Sequence, residues 1–169
     1  MDAIEAIKTR RTHKSFGPEP VPRDELEQLF DLARFAPNHH LTEPWRFRVL
    51  GPASFERLKE AAGPAEAPKL ERAPTLVVAS ARLEGDELQD AEDLHATAAA
   101  VYAILLGAHA RGLAGYWRSP AVLRTDEGRR AVGLPDDEHV LGLLHLGPVR
   151  AEPPLRERAP VESYLSFLD

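Results

Sequence analysis

The chain has 169 residues, 43% of them hydrophobic, a formal net charge of −6 and no cysteine. That size supports one domain with a substantial core over residues 1–169, and no stretch is long and apolar enough for a bilayer-spanning helix. Without cysteine there are no disulfides, thiolate metal centres, iron–sulfur clusters or thiol nucleophiles, so redox chemistry would need a bound cofactor. The mild acidity argues against nucleic acid as a partner, no membrane is expected as one, and MDAIEAIK lacks the basic and apolar regions of a secretory leader, which points to the cytoplasm.

Asp2, with Glu5 three positions on, starts a first helix that runs to about Arg10 with Ile4 and Ile7 as a narrow apolar face. Pro22 marks a second, in which Leu26, Leu29, Phe30 and Ala33 recur at helical spacing until Pro37-Asn38 stops it. Trp45–Leu50 alternates large apolar with basic residues as a strand does, and Gly51-Pro52 closes it. Ser54–Ala62 reads as a short helix ending at Gly63, residues 63–74 as a proline-rich surface loop, and Thr75–Ala79 as a central strand. The acidic stretch Glu84–Asp93 leads into a helix from about Leu88 to Arg111. Between Ala96 and Ala110 it is apolar almost all round and is expected to be buried on nearly every side. Gly112 ends it, Leu113–Trp117 is strand or loop, Thr125 caps a short helix, and Val140–Leu146 is another apolar strand. The last twenty residues are first broken by prolines, then offer Tyr164, Leu165, Phe167 and Leu168 as an anchor. The sum is an α+β or α/β chain with three layers around a small sheet and a central helix. A lone domain of this size has trouble covering that helix, so a homodimer is expected.

Lys8, Arg10, Arg11, His13 and Lys14 crowd the end of the first helix in an otherwise acidic chain. Guanidinium forks and an ammonium in one turn can clamp a phosphate or diphosphate. Cations at a helix C-terminus also complement its dipole, and this segment alone does not separate the two readings.

Three further segments follow in order: APNHHLTEPWRF at 36–47, GYWRS at 115–119 and GLLHLG at 142–147, behind Arg-Arg-Thr-x-Lys-x-Phe at 10–16. This ordered set resembles the nitroreductase family of FMN enzymes, in its short form, over nearly the whole chain. The resemblance implies an α+β homodimer, helices around a central, mainly antiparallel sheet, two flavins at the interface, and a sheet edge that takes the partner's C-terminal segment. It implies Arg10, Arg11 and Thr12 on the phosphate, ribityl and pyrimidine side of FMN, with Lys14 near the same cofactor. His39 would reach the flavin from the partner subunit, and Trp117, Arg118 and Ser119 would run along its ring. Arg158, or else Arg156, is the candidate for a phosphate arginine near the C-terminus. Where many members carry asparagine three residues before the proline and glutamine one before it, this chain has Leu41 and Glu43, so the hydrogen bonds this loop offers differ.

The implied activity passes a hydride from NAD(P)H through FMN to a nitroaromatic, quinone or related acceptor in ping-pong exchange. Such chemistry asks the protein to position the cofactor and to supply hydrogen bonds and positive charge to the reduced ring, with no nucleophile of its own. None is found, since Ser54 and Ser119 lack a G-x-S-x-G setting. The alternatives are another flavin reaction, such as enone reduction or dehalogenation, and a non-catalytic flavin- or nucleotide-binding module. His39-His40 lies in no metal-binding spacing, and no metal is expected. His95, His109, His139 and His145 read as satisfied structural histidines, and Trp45, Phe47 and Trp117 as core or as stacking surfaces. Gly107, Gly112 and Gly115 do not form a dinucleotide-binding G-x-G-x-x-G.

Overall fold

The apolar run beginning at Thr75 is buried on both faces for seven residues, which is why it shows no alternation of apolar and polar side chains. The computed structural model, which describes residues 1–168, makes it the strand β2, Thr75–Arg82. β1 (Trp45–Val49), β3 (Leu113–Arg118) and β4 (Glu138–Pro148) join it in one sheet of order β1-β2-β4-β3, every pairing antiparallel. The fold is therefore α+β. Leu76 and Val78 of β2 and Leu143 of β4 face a core with α3 (Pro52–Ala62), α4 (Ala67–Leu70) and α6 (Asp126–Ala131). Val77 and Ala79, with Leu144 and Leu146, face the other core, built from α2 (Arg23–Phe30), a 3-10 helix Asp31–Phe35 and α5 (Glu87–Ala110). α1 (Ala3–Thr9) packs on α5. The three-layer expectation thus corresponds to a sheet between two helical layers.

Local chemistry sets the boundaries. Asp2, Asp86 and Thr125 each accept a backbone N–H from three residues on, capping α1, α5 and α6. Pro22 stands just before α2 and Pro52 occupies the first turn of α3, so α3 starts two residues ahead of Ser54.

Four expectations need correction. Residues 63–74 are not simply a surface loop, because α4 forms there to bury Leu70, the one large apolar residue in a polar, proline-rich stretch. β2 continues three residues past Ala79, since pairing with β1 and β4 carries polar Ser80 and Arg82 along. Within one chain Ala96–Ala110 is not covered on every side: Tyr102 is exposed and Ala99 half-buried, on a flank that continues to exposed Leu88 and His95 in the first half of α5. The C-terminal Tyr164, Leu165, Phe167 and Leu168 are all exposed and anchor nothing in their own chain.

One buried polar knot fixes the register of three strands. The Arg48 guanidinium on β1 donates two bonds to the Glu138 carboxylate on β4, at 2.6 and 2.7 Å, and Ser80 Oγ on β2 donates a third at 2.5 Å. Burial penalises the Glu138 carboxylate, but the bonds from Arg48 and Ser80 outweigh it and hold its pKa below the ordinary range. Its contribution to stability is then complete above the unfolded value of about 4.3 and is lost as pH falls through the folded value. Glu138→Gln should cost about 2–3 kcal/mol in urea denaturation at pH 7. The gap to the native protein should close as both are titrated below about pH 4.

Candidate functional site

The basic turn is held in place by its backbone. Arg10 N–H closes α1 on the Ala6 carbonyl at 2.9 Å, and Arg11 Nη1 donates to the Lys8 and Arg10 carbonyls at 2.6 and 2.8 Å. Part of the charge therefore serves the helix end. The Arg10 guanidinium lies 5.9 Å from the centroid of the Tyr102 ring on α5, and Thr9 Oγ1 is 2.8 Å from His109 Nε2. His13 is buried against β3: its N–H donates to the Gly115 carbonyl at 3.1 Å and its Nδ1 accepts the Gly115 N–H at 3.4 Å. Phe16 then bridges to Val149, and Gly17 N–H donates to the Pro148 carbonyl at 2.8 Å.

This turn meets the other end of the chain. Arg11, Thr12 and Lys14 share a cavity of about 460 Å³ with Pro153, Pro154, Arg156 and Arg158. Four cations and no carboxylate line it. Arg10 Nε and Arg11 Nε are buried nearby without a hydrogen-bond partner. Burial, together with the neighbouring His13, lowers the pKa of His109 behind the turn, against a smaller opposing pull from Glu152. The environment is anion-seeking and fits a phosphate monoester.

The second strip is the end of β3. Trp117 turns toward the α5 layer and its Nε1 donates to the Leu141 carbonyl at 3.1 Å. That carbonyl belongs to the extra residue of a bulge in β4, opposite Ala79 and Ser80, which leaves it outside the ladder. Arg118 pairs with Leu143, on the opposite face of the sheet, where its guanidinium is held by Glu66 at the approach to α4. It is 14% exposed, and its Nη1 is buried and unpartnered. On that face His145 lies fully buried, with Phe16 and Tyr116 rings 6.4 and 5.5 Å away. Burial first, then Arg118 and Arg72, push its pKa down to about 4, so it is neutral at pH 7. It was expected to be a satisfied histidine, yet neither ring nitrogen has a partner. Ser119 is exposed just beyond the strand.

His39 is not brought to the cavity within one chain. It sits in a loop beside the N-terminal half of α5, with Nδ1 2.7 Å from Glu92 and its ring stacked 3.8 Å from His40. His40, Leu41 and Glu43 all have left-handed backbones, with φ of 57°, 51° and 46°. Asn38 holds the loop by accepting the Glu43 N–H at 2.7 Å, and Thr42 ties it to buried Asp93 at 2.6 Å. Sequence reasoning counted His13 only as charge and did not single out Tyr102 or Glu66. The x-His-x position inside Arg-Arg-Thr-His-Lys was a usable signal for the first, and nothing in the sequence marked the other two.

With this geometry in view, the comparisons are decisive about class. The Nitroreductase family model matches residues 7–148, so the chain belongs to the nitroreductase family, a family of oxidoreductases. Among curated relatives, the Escherichia coli K12 protein named "Putative NAD(P)H nitroreductase YdjA" is 30% identical, over 87% of this chain and 88% of its own. A nitroreductase-like protein from Bacillus cereus superposes with a TM-score of 0.90 at 24% identity, covering 99% of this chain and 96% of that one. The FMN and NADPH-dependent nitroreductase NfnB from Sphigopyxis sp. strain HMH superposes at 0.85 with 15% identity over the whole of both chains.

The close approach of β3 and β4 at Trp117 depends on Gly142, whose φ is 152°. A Cβ there would fall 2.5 Å from the Arg118 carbonyl oxygen and 2.6 Å from Trp117 Nε1. Gly142→Ala should therefore destabilise the fold by about 3 kcal/mol. Chemical denaturation followed by tryptophan fluorescence measures this directly.

Proposed function

We propose that this chain, as a single domain over residues 1–169, binds FMN and passes a hydride from NAD(P)H through it to nitroaromatic, quinone or related acceptors in ping-pong exchange. The observation that carries the reading is the cavity in which Arg11, Thr12 and Lys14 meet Arg156 and Arg158, a pocket with four cations and no carboxylate in its lining, assembled from both ends of the chain. Family membership and the FMN and NADPH dependence of NfnB, a structural neighbour, support it.

FMN, when bound, would supply hydride acceptance and release. The chain's share is to hold and orient. Lys14 and Arg11, with Arg158 or Arg156, neutralise the phosphate, and the Thr12 hydroxyl offers a neutral hydrogen bond beside them. Trp117 and Ser119 flank the ring, the indole as a rigid apolar wall that keeps water from the hydride path. Arg118 contributes its backbone, while its side chain is engaged by Glu66.

His39 completes the site only from a second copy, so the working unit is a homodimer. The flank of α5 with Leu88, His95, Ala99 and Tyr102, next to exposed Ile4 and Ile7 on α1, supplies an apolar face for it.

The purified protein should be yellow, with FMN near one per chain, and should bleach when NADPH or NADH is added without oxygen. A yellow protein that neither nucleotide bleaches is a binding module, and one that takes up no FMN refutes the reading. Lys14→Glu with Arg158→Glu should lose at least 90% of its FMN on dialysis while retaining its circular dichroism, about a tenfold weakening or more for two reversed charges. Ala99→Glu should shift the light-scattering mass from dimer toward monomer.

A further inference from the structure

Beyond Val149 the chain leaves the sheet as an arm, which reaches the cavity through Pro153, Pro154, Arg156 and Arg158. Within residues 150–168 the backbone and hydroxyl hydrogen bonds, such as Leu165 N–H to the Val161 carbonyl at 3.0 Å, are internal to the arm. Among the described residues, one polar contact ties the arm to the rest of the chain: His13 Nε2 to Glu152 Oε2, at 3.7 Å. The two partners differ sharply in setting. His13 is 2% exposed and Glu152 is 76% exposed. His13 Nδ1 is already committed as acceptor of the Gly115 N–H, which places the proton of a neutral ring on Nε2, the atom that faces the carboxylate. That Nε2 has no other partner and is buried. Glu152 directly precedes Pro153 and Pro154, which stiffen the path to Arg156 and Arg158.

We propose that His13 and Glu152 form a clasp that docks the C-terminal arm on the basic turn, so that the arm's arginines join the phosphate pocket only while it is closed. His13 is then a positioning residue with two separate jobs. Its backbone N–H and Nδ1 bracket the Gly115 peptide at the free edge of β3, and its Nε2 holds the arm. The stiff proline pair turns one fixed point at residue 152 into a defined position for Arg156 and Arg158. The role in cofactor retention rests on the FMN reading above, whereas the docking of the arm does not.

Two variants separate the jobs. His13→Asn can keep an acceptor for the Gly115 N–H but cannot reach the arm, and Glu152→Gln touches only the arm. Both readouts use the full-length protein: the rate of tryptic cleavage after Arg158, followed by mass spectrometry, and the rate of FMN dissociation, followed by fluorescence. His13→Asn and Glu152→Gln should each speed both by about fivefold, with the double variant no faster than either single one. Unchanged cleavage in Glu152→Gln overturns the clasp, whether or not the protein binds FMN. Faster cleavage with unchanged FMN release overturns the arm's role in the pocket. Additive effects in the double variant show two independent contacts and overturn the pairing. If the native protein binds no FMN at all, the cofactor reading fails while the cleavage rates still decide the docking.

Discussion

Everything in this fold follows from two strands that must be covered on both faces. β2 and the middle of β4 carry leucine, valine and alanine toward each side of the sheet, so neither layer of helices is optional. The long α5, with α2 and the 3-10 helix Asp31–Phe35 beside it, covers one side, whereas α3, α4 and α6 share the other. That unequal division explains why α4 exists at all. A single turn suffices to seat Leu70, and in doing so it brings Glu66 to Arg118. It also explains why α5 is rich in alanine. A helix laid across a sheet of small and branched side chains packs closely only with short side chains at the contact, and Ala100 and Ala108 are wholly buried there.

With the sheet's centre so occupied, chemistry is left to its margins. The outer edge of β3 is closed in part by His13, which satisfies both hydrogen-bonding groups of Gly115, a local remedy for an exposed strand edge. The segment that does this carries the clustered cations, so edge protection and charge placement are one device. The opposite end of the sheet is secured differently, by the carboxylate of Glu138 shared between Arg48 and Ser80. A neutral trio could not cross-link β1, β2 and β4 as strongly, since bonds to an ionised group are about twice as strong as neutral ones.

Much of this was legible in the sequence. Asp2 as cap, the helix after Pro22, the strand opening at Trp45 and the long alanine-rich helix all arise from local chemistry, and local chemistry is what a sequence displays. α4 was not legible, because its only reason for being is tertiary: one leucine fills a place in the core shared by α3, α6 and the sheet. The reach of β2 to Arg82 was hidden likewise, since its last residues are strand by pairing and not by propensity. At the site, Arg11, Thr12, Lys14 and Arg158 line one cavity, whereas Arg10 is not in its lining and His39 stays apart in a single chain. The side chain of Arg118 faces Glu66, on the far side of the sheet from Trp117. Period-two alternation along β3 could have shown that Trp117 and Arg118 point to opposite faces.

The distribution of imperfect hydrogen bonding makes the same division from another side. Among the described residues, the buried side-chain nitrogens without partners belong to Arg10, Arg11, His13, Arg118 and His145. All five lie on the basic turn or on β3 and β4 beside it. Leaving such groups unpaired costs about 1–3 kcal/mol each, so a sequence shaped only for stability would have replaced them with apolar side chains. The cost is borne where two well-packed apolar layers can offset it. Its electrostatic effect is one-sided, because the three guanidiniums are permanently cationic and can only donate, whereas His13 Nε2 faces the Glu152 carboxylate. A field of uncommitted donors along one seam, in a chain that is acidic as a whole, selects an anion at that seam and repels it elsewhere.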